Sequence, residues 1–133
     1  MTDIEWKKSY EVGHERIDFE HRIFVDLIAR IDDAQQKGDD PKYIQRLLEE
    51  LRKYAEFHFI SEENIMYSVS YPDYESHRTH HQKLIETYNQ TLMQIELGEQ
   101  TINDFITFLK DWFVNHTLHE DKNISDYVKG KQI

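Results

Sequence analysis

Apolar residues recur along most of this chain at intervals of three and four, the repeat that lines one face of an α-helix. Four long stretches carry it. The first runs from about Asp18 to Gln36 and stops before KGDDP, where Gly38 suits the left-handed residue that ends a helix. The second opens at Asp40-Pro41, a capping side chain followed by a proline at the first helical position, and reaches Met66 or Tyr67. After the loop SVSYPD, the third runs from about Tyr74 to Leu97 and stops at Gly98. The fourth opens at Thr101, with Asp104 three residues later as a capping-box-like pair, and continues through FITFLKDWFVNH. A shorter helix over NISDYVKG follows, and residues 1–17, which show little period, read as an arm. Four helices with short connections predict an all-α, antiparallel up-down-up-down bundle. Its single domain then divides into an arm at about 1–17, a bundle at about 18–120 and a tail at about 121–133.

The polar residues that fall on the apolar stripes change this picture. At about 100° per residue, Leu84, Ile85, Tyr88, Leu92 and Ile95 all lie within about 60° of His81, and His77 within about 40°. His80 lies about 100° away, at the edge of the stripe. In ESHRTHHQKL, therefore, His77 and His81 point inward and His80 does not. On the second helix Ile44, Leu47, Leu51, Tyr54, Ala55 and Ile65 surround the direction of His58. Glu62 lies about 40° from His58, whereas Glu63 lies about 140° away, toward solvent. Ile17, Phe24, Val25 and Ile28 bracket His21, and Phe105, Leu109, Trp112 and Phe113 bracket His116. His21 and His77 begin their helices, while His58, Glu62 and His116 end theirs. In an alternating bundle these positions meet at one level.

One histidine on an apolar stripe is ordinarily a hydrogen-bonded core residue. Five at one level with a buried glutamate are another matter, because so many desolvated polar groups are costly without a cation. The set is too large for one tetrahedral zinc. Two ions bridged by carboxylate would use it, and mixed imidazole and carboxylate ligands favour iron, with a di-zinc hydrolase as an alternative. The ferritin-like di-iron class needs Glu-x-x-His on two helices. Glu11 to His14, in the arm, is the one such pair in the chain.

The rest of the composition excludes more than it adds. The 133 residues contain no Cys, so thiolate sites and disulfides are ruled out. A formal charge of -10 argues against nucleic acid and mildly for a monomer. No long apolar run or signal-peptide core is present, so a cytoplasmic protein with no membrane insertion is expected.

The motifs IDFEH, HFISEENIM, HRTHH and HTLHED, with the arm WKKSYEVGHERID, together resemble the hemerythrin family, in particular its single-domain bacterial members. The likeness spans about Trp6 to Tyr127. It implies two non-haem iron ions with an oxo or hydroxo bridge. By the resemblance, His77, His81 and His116 saturate one iron, and His21 and His58 hold the other with a position open for O2. Glu62 and Asp121 bridge them. Periodicity alone favours Glu120 over Asp121, which stands about 140° from His116 on a regular helix. Asp121 requires the helix to end, widen or carry a π-like turn near Leu118. The other histidines, His14, His80 and His119, read as outer or surface groups. Phe24, Phe59, Trp112 and Phe113 read as core residues, some of which also wall an O2 pocket. The resemblance implies reversible O2 binding without catalysis, for carriage, storage or delivery to an oxygen-using enzyme. The alternatives are an O2, NO or redox sensor and a di-metal enzyme with weak peroxidase activity.

Overall fold

The computed structural model describes residues 5–131, apart from the side chain of His116. Its helices are α1 (Glu15–Lys37), α2 (Pro41–Ser68), α3 (Tyr74–Glu96), α4 (Ile102–Trp112) and α5 (Leu118–Lys131). A π-helical turn, Phe113–Thr117, joins α4 to α5, so the fourth rod of the bundle runs on into the tail. The segment NISDYVKG thus continues this rod and is not a separate helix. α1 packs on α2 and α4, and α2 packs on α3, giving the four-helix bundle.

Local chemistry explains where the helices start and stop. Asp40 accepts from the Lys42 amide ahead of Pro41, and Thr101 accepts from the Asp104 amide at 3.1 Å. α1 ends at Gly38, whose φ of 71° is cheap only without a Cβ. α1 also starts earlier than its apolar period suggests, at Glu15. The His14 imidazole caps it by accepting from the Ile17 amide. The Asp18 carboxylate then takes the amides of Val12 (2.7 Å) and Gly13 (3.2 Å), tying the arm to the first turn. The arm folds back over the bundle. Tyr10 stands edge-on to Phe113 at 5.6 Å and to Trp6 at 5.6 Å, and Arg22 lies over the Trp6 ring.

Two apolar clusters result. The larger fills most of the bundle and includes Phe24, Ile28, Leu48, Leu51, Phe59, Phe105, Leu109 and Phe113. The smaller closes one end with Val12, Ile17, Met66, Ile124 and Val128. His21, Glu62 and Asp121 each lie about one helical turn from a member of the second cluster, so the polar layer is sandwiched between apolar ones. Leu51 is fully buried in the larger cluster. Leu51→Ala is expected to cost about 2–5 kcal/mol through lost burial and a residual cavity. The midpoint of denaturant unfolding of the metal-free protein reads that loss. Among the described residues, no helix is long and apolar enough to cross a membrane.

Candidate metal centre

Each side chain of the polar layer comes from a helical position already dictated by packing. His21 on α1 is flanked by Ile17 and Phe24, one turn either way. His58 and Glu62 are successive turns of one stripe on α2, and His77 and His81 are the same on α3. His21, His58, Glu62, His77, His81 and Asp121 are all buried. Two groups of donor atoms form, His21–His58–Glu62–Asp121 and Glu62–His77–His81, and within each the atoms lie within 4.8 Å of one another.

The carboxylates belong to both groups. Glu62 Oε1 meets His77 Nε2 at 2.6 Å and His81 Nε2 at 3.1 Å, while Oε2 faces His58 Nε2 at 3.3 Å. Asp121 Oδ2 meets His21 Nε2 at 2.8 Å, while Oδ1 faces His77 Nε2 at 3.6 Å. Each carboxylate therefore sends one oxygen to the α1–α2 histidines and the other to the α3 histidines. That is the donor pattern of two cations sharing two bridges. The atoms His58 Nε2 and Glu62 Oε2 are buried without a hydrogen bond although they face each other. Two donors aimed at a common point suit a ligand pair better than a hydrogen-bonded one, so the residues fit a pair of ions held by nitrogen and oxygen.

The π turn settles which carboxylate enters this layer. The Leu118 amide donates to the Phe113 carbonyl, five residues back, which inserts the extra residue that a regular helix lacks. Asp121 is 2% exposed as a result. Glu120 is turned outward with its side chain 34% exposed, beside His80 Nδ1 at 3.3 Å. His119 is exposed, and His80 lies on the helix flank as its phase suggests. The His116 side chain lies outside the described residues, so its expected place beside His77 and His81 is not described here.

Charge in the layer is strongly interdependent. Burial alone would raise the Glu62 carboxyl, but bonds from His58, His77 and His81 hold it well below its ordinary range. Asp121 is pushed well above its own, by burial and by the Glu62 charge beside it. Burial and the neighbouring His58 depress His21 to about 3. Burial would lower His58 too, but bonds to Glu20 and Glu62 raise it to about 9. A cation at this level would favour two ionised carboxylates and neutral imidazoles together.

An unbroken chain of aromatic contacts surrounds the layer. Phe113 stands edge-on to His21 at 5.3 Å and stacks with Phe24 at 5.7 Å. Trp112 lies 6.1 Å from Phe24 and 6.1 Å from Phe59, which stacks flat on His81 at 4.0 Å. All four aromatic residues read from the sequence are in this collar.

Two carboxylates escaped the sequence reading. Glu63 does not point to solvent: its Oε2 lies 2.9 Å from His81 Nδ1, and its side chain is 17% exposed. Helical phase set it outside the α2 stripe correctly, but the groove between α2 and α3 puts His81 within its reach. Glu20 is buried, with Oε1 2.7 Å from His58 Nδ1 and Oε2 accepting from Ser61 at 2.8 Å and Arg16 at 3.1 Å. Its adjacency to His21 in IDFEH is the one sequence signal that could have flagged it.

Comparison with known proteins agrees with this architecture. The family model described as the hemerythrin HHE cation binding domain matches residues 12–128. The chain is 28% identical over 129 residues to a bacteriohemerythrin of Pseudomonas aeruginosa (strain LESB58), covering 97% of this chain and 84% of that protein. It is 33% identical over 112 residues to a myohemerythrin of Theromyzon tessulatum, covering 84% and 82%. A crystal structure of wild-type hemerythrin superposes with a TM-score of 0.82 at 27% identity, over 96% of this chain and 97% of that one. A match running from the end of the arm to the last turns of α5, on a shared fold with a buried His/Glu/Asp layer, places this chain in the hemerythrin family.

Proposed function

We propose that this protein binds O2 reversibly at a non-haem di-iron centre, for carriage, storage or delivery to an oxygen-using enzyme, and that it is not itself an enzyme. The observation that carries the reading is the pair of shared carboxylates, Glu62 and Asp121, each divided between opposing histidine groups in one buried layer. In this reading His21 and His58 hold one iron and leave it a free position, while His77, His81 and His116 complete the other. Glu62 and Asp121 join the two, beside an oxo or hydroxo bridge. The iron pair supplies the electrons that O2 takes up and returns.

The protein's part is to hold donors and exclude water. The imidazoles present Nε2 to the centre, and the carboxylates keep the two ions at one spacing. Phe113, Phe24, Trp112 and Phe59 wall the O2 pocket. A charged, reduced oxygen species departs readily only where water can solvate it. A dry collar therefore favours release of neutral O2. Replacing Phe113 with a polar residue, as in Phe113→Gln, is expected to speed autoxidation of the oxygenated form roughly tenfold, a barrier change of about 1.4 kcal/mol. Decay of the visible spectrum in air measures it, and an unchanged rate removes Phe113 from the pocket wall.

The test of the function is an optical titration. The anaerobically reduced, iron-loaded protein should contain two irons per chain. A visible band should appear on adding O2 and vanish on purging with inert gas. Irreversible oxidation would favour a sensor or an enzyme, and a metal content other than two irons would overturn the reading.

A further inference from the structure

We infer that Glu20 and Glu63 are positioning residues, one for each half of the centre, that hold His58 and His81 with Nδ1–H outward and Nε2 inward. The inference rests on the di-iron reading. Each carboxylate is a sequence neighbour of one metal-layer residue but reaches across to a histidine on the next helix. Glu20, beside His21 on α1, takes His58 Nδ1 on α2 at 2.7 Å. Glu63, beside Glu62 on α2, takes His81 Nδ1 on α3 at 2.9 Å.

The chemistry follows from the two ring nitrogens. A carboxylate facing Nδ1 keeps the proton there and leaves the Nε2 lone pair for the centre. It also fixes the ring plane and makes the nitrogen a stronger donor. His58 Nε2 and His81 Nε2 do face Glu62, at 3.3 and 3.1 Å. His21 has no such support, since its Nδ1 is buried without a hydrogen bond. Thus one of the two histidines on the open half is held from behind and the other is not.

The two supports also differ in stiffness. Glu20 is buried and pinned by Ser61 and Arg16. Glu63 borders the surface groove lined by Phe59, Arg78, His81 and Glu86, with Arg78 Nε 3.9 Å away. The half of the centre that contains His58 is therefore braced by an interior group, and the half that contains His81 by a group open to solvent on one side.

The test compares iron retention and a proton signal in four variants: Glu20→Ala, Glu20→Gln, Glu63→Ala and Glu63→Gln. Each alanine variant should release one of its two ferrous ions to a chelator about 10–100 times faster than wild type, the usual effect of losing such a partner. Each glutamine variant should recover most of this, because its amide oxygen still accepts from Nδ1–H. In the cobalt(II)-loaded protein, the paramagnetically shifted Nδ1–H resonance of His81 should exchange with deuterated water faster than that of His58. Glu63→Ala should broaden or remove the first signal and leave the second. Glu63 is partly exposed, so its variants should remain folded even if Glu20→Ala destabilises the chain, and circular dichroism of the metal-free variants checks this. Wild-type release rates in both alanine variants would overturn the inference. So would glutamine variants as defective as the alanine ones, which would assign the effect to charge and not to position. A wild-type protein that takes up no iron pair would overturn the di-iron reading as well, whereas an iron pair unaffected by either residue removes this inference alone.

Discussion

Glu62→Ala is expected to abolish binding of both ions, not one. Both of its oxygens are engaged, Oε1 by His77 and His81 and Oε2 by His58, so the side chain belongs to each half of the layer. Its loss takes a ligand from both ions and leaves three buried imidazoles facing a gap. It also removes half of the anionic charge contributed by the two shared carboxylates, which a pair of cations needs in a desolvated site. Metal content should fall from two ions per chain toward none, measured by elemental analysis after loading with ferrous iron and desalting. Replacement of His81 is the comparison, because it belongs to one half only and should spare the other ion. A Glu62→Ala protein that keeps one firmly bound ion would show that the halves do not depend on a common bridge.

Asp121→Ala is expected to lose the second ion, while Glu120→Ala keeps both. The two residues are neighbours of like charge, and in a regular helix after His116 the order would be reversed. The π turn over Phe113–Thr117 carries Asp121 inward to 2.8 Å from His21, and Glu120 outward to His80. Elemental analysis of the two variants separates the roles, and loss of metal from Glu120→Ala alone would reverse them. The same turn bears on stability. It places Ile124 and Val128 in the end cluster with Ile17 and Met66, so a change that straightened the rod would unpack that cluster as well as withdraw Asp121. The centre and the closure of the bundle end thus share one backbone irregularity.

Most of the bundle was legible because its signals are local. Asp40-Pro41, Thr101 and Gly38 mark helix ends through bonds made within a few residues, and these bonds are present. The stripe positions of His21, His58, Glu62, His77 and His81 follow from helical phase and a requirement that apolar faces meet. Phase failed where the backbone departed from the regular helix or where the neighbour mattered more than the direction. His14 starts α1 with an imidazole cap, an uncommon choice that hides the first turn from a search for Ser, Thr, Asp or Asn.

What the sequence determined by itself was the bundle, the level at which its histidines meet and the pairing of His77 with His81, since each depends on spacing along one helix. The tertiary structure alone decided three further things. It set how the oxygens of Glu62 and Asp121 divide between opposing histidines, because that depends on how four helices approach one another. It gave Glu20 and Glu63 histidine partners on neighbouring helices, 38 and 18 residues away along the chain. It also chose Asp121 over Glu120, because the widened turn forms where packing of Phe113 on one side and Ile124 on the other must both be met. Helical periodicity measures direction from a single axis, and a metal layer is built where several axes converge.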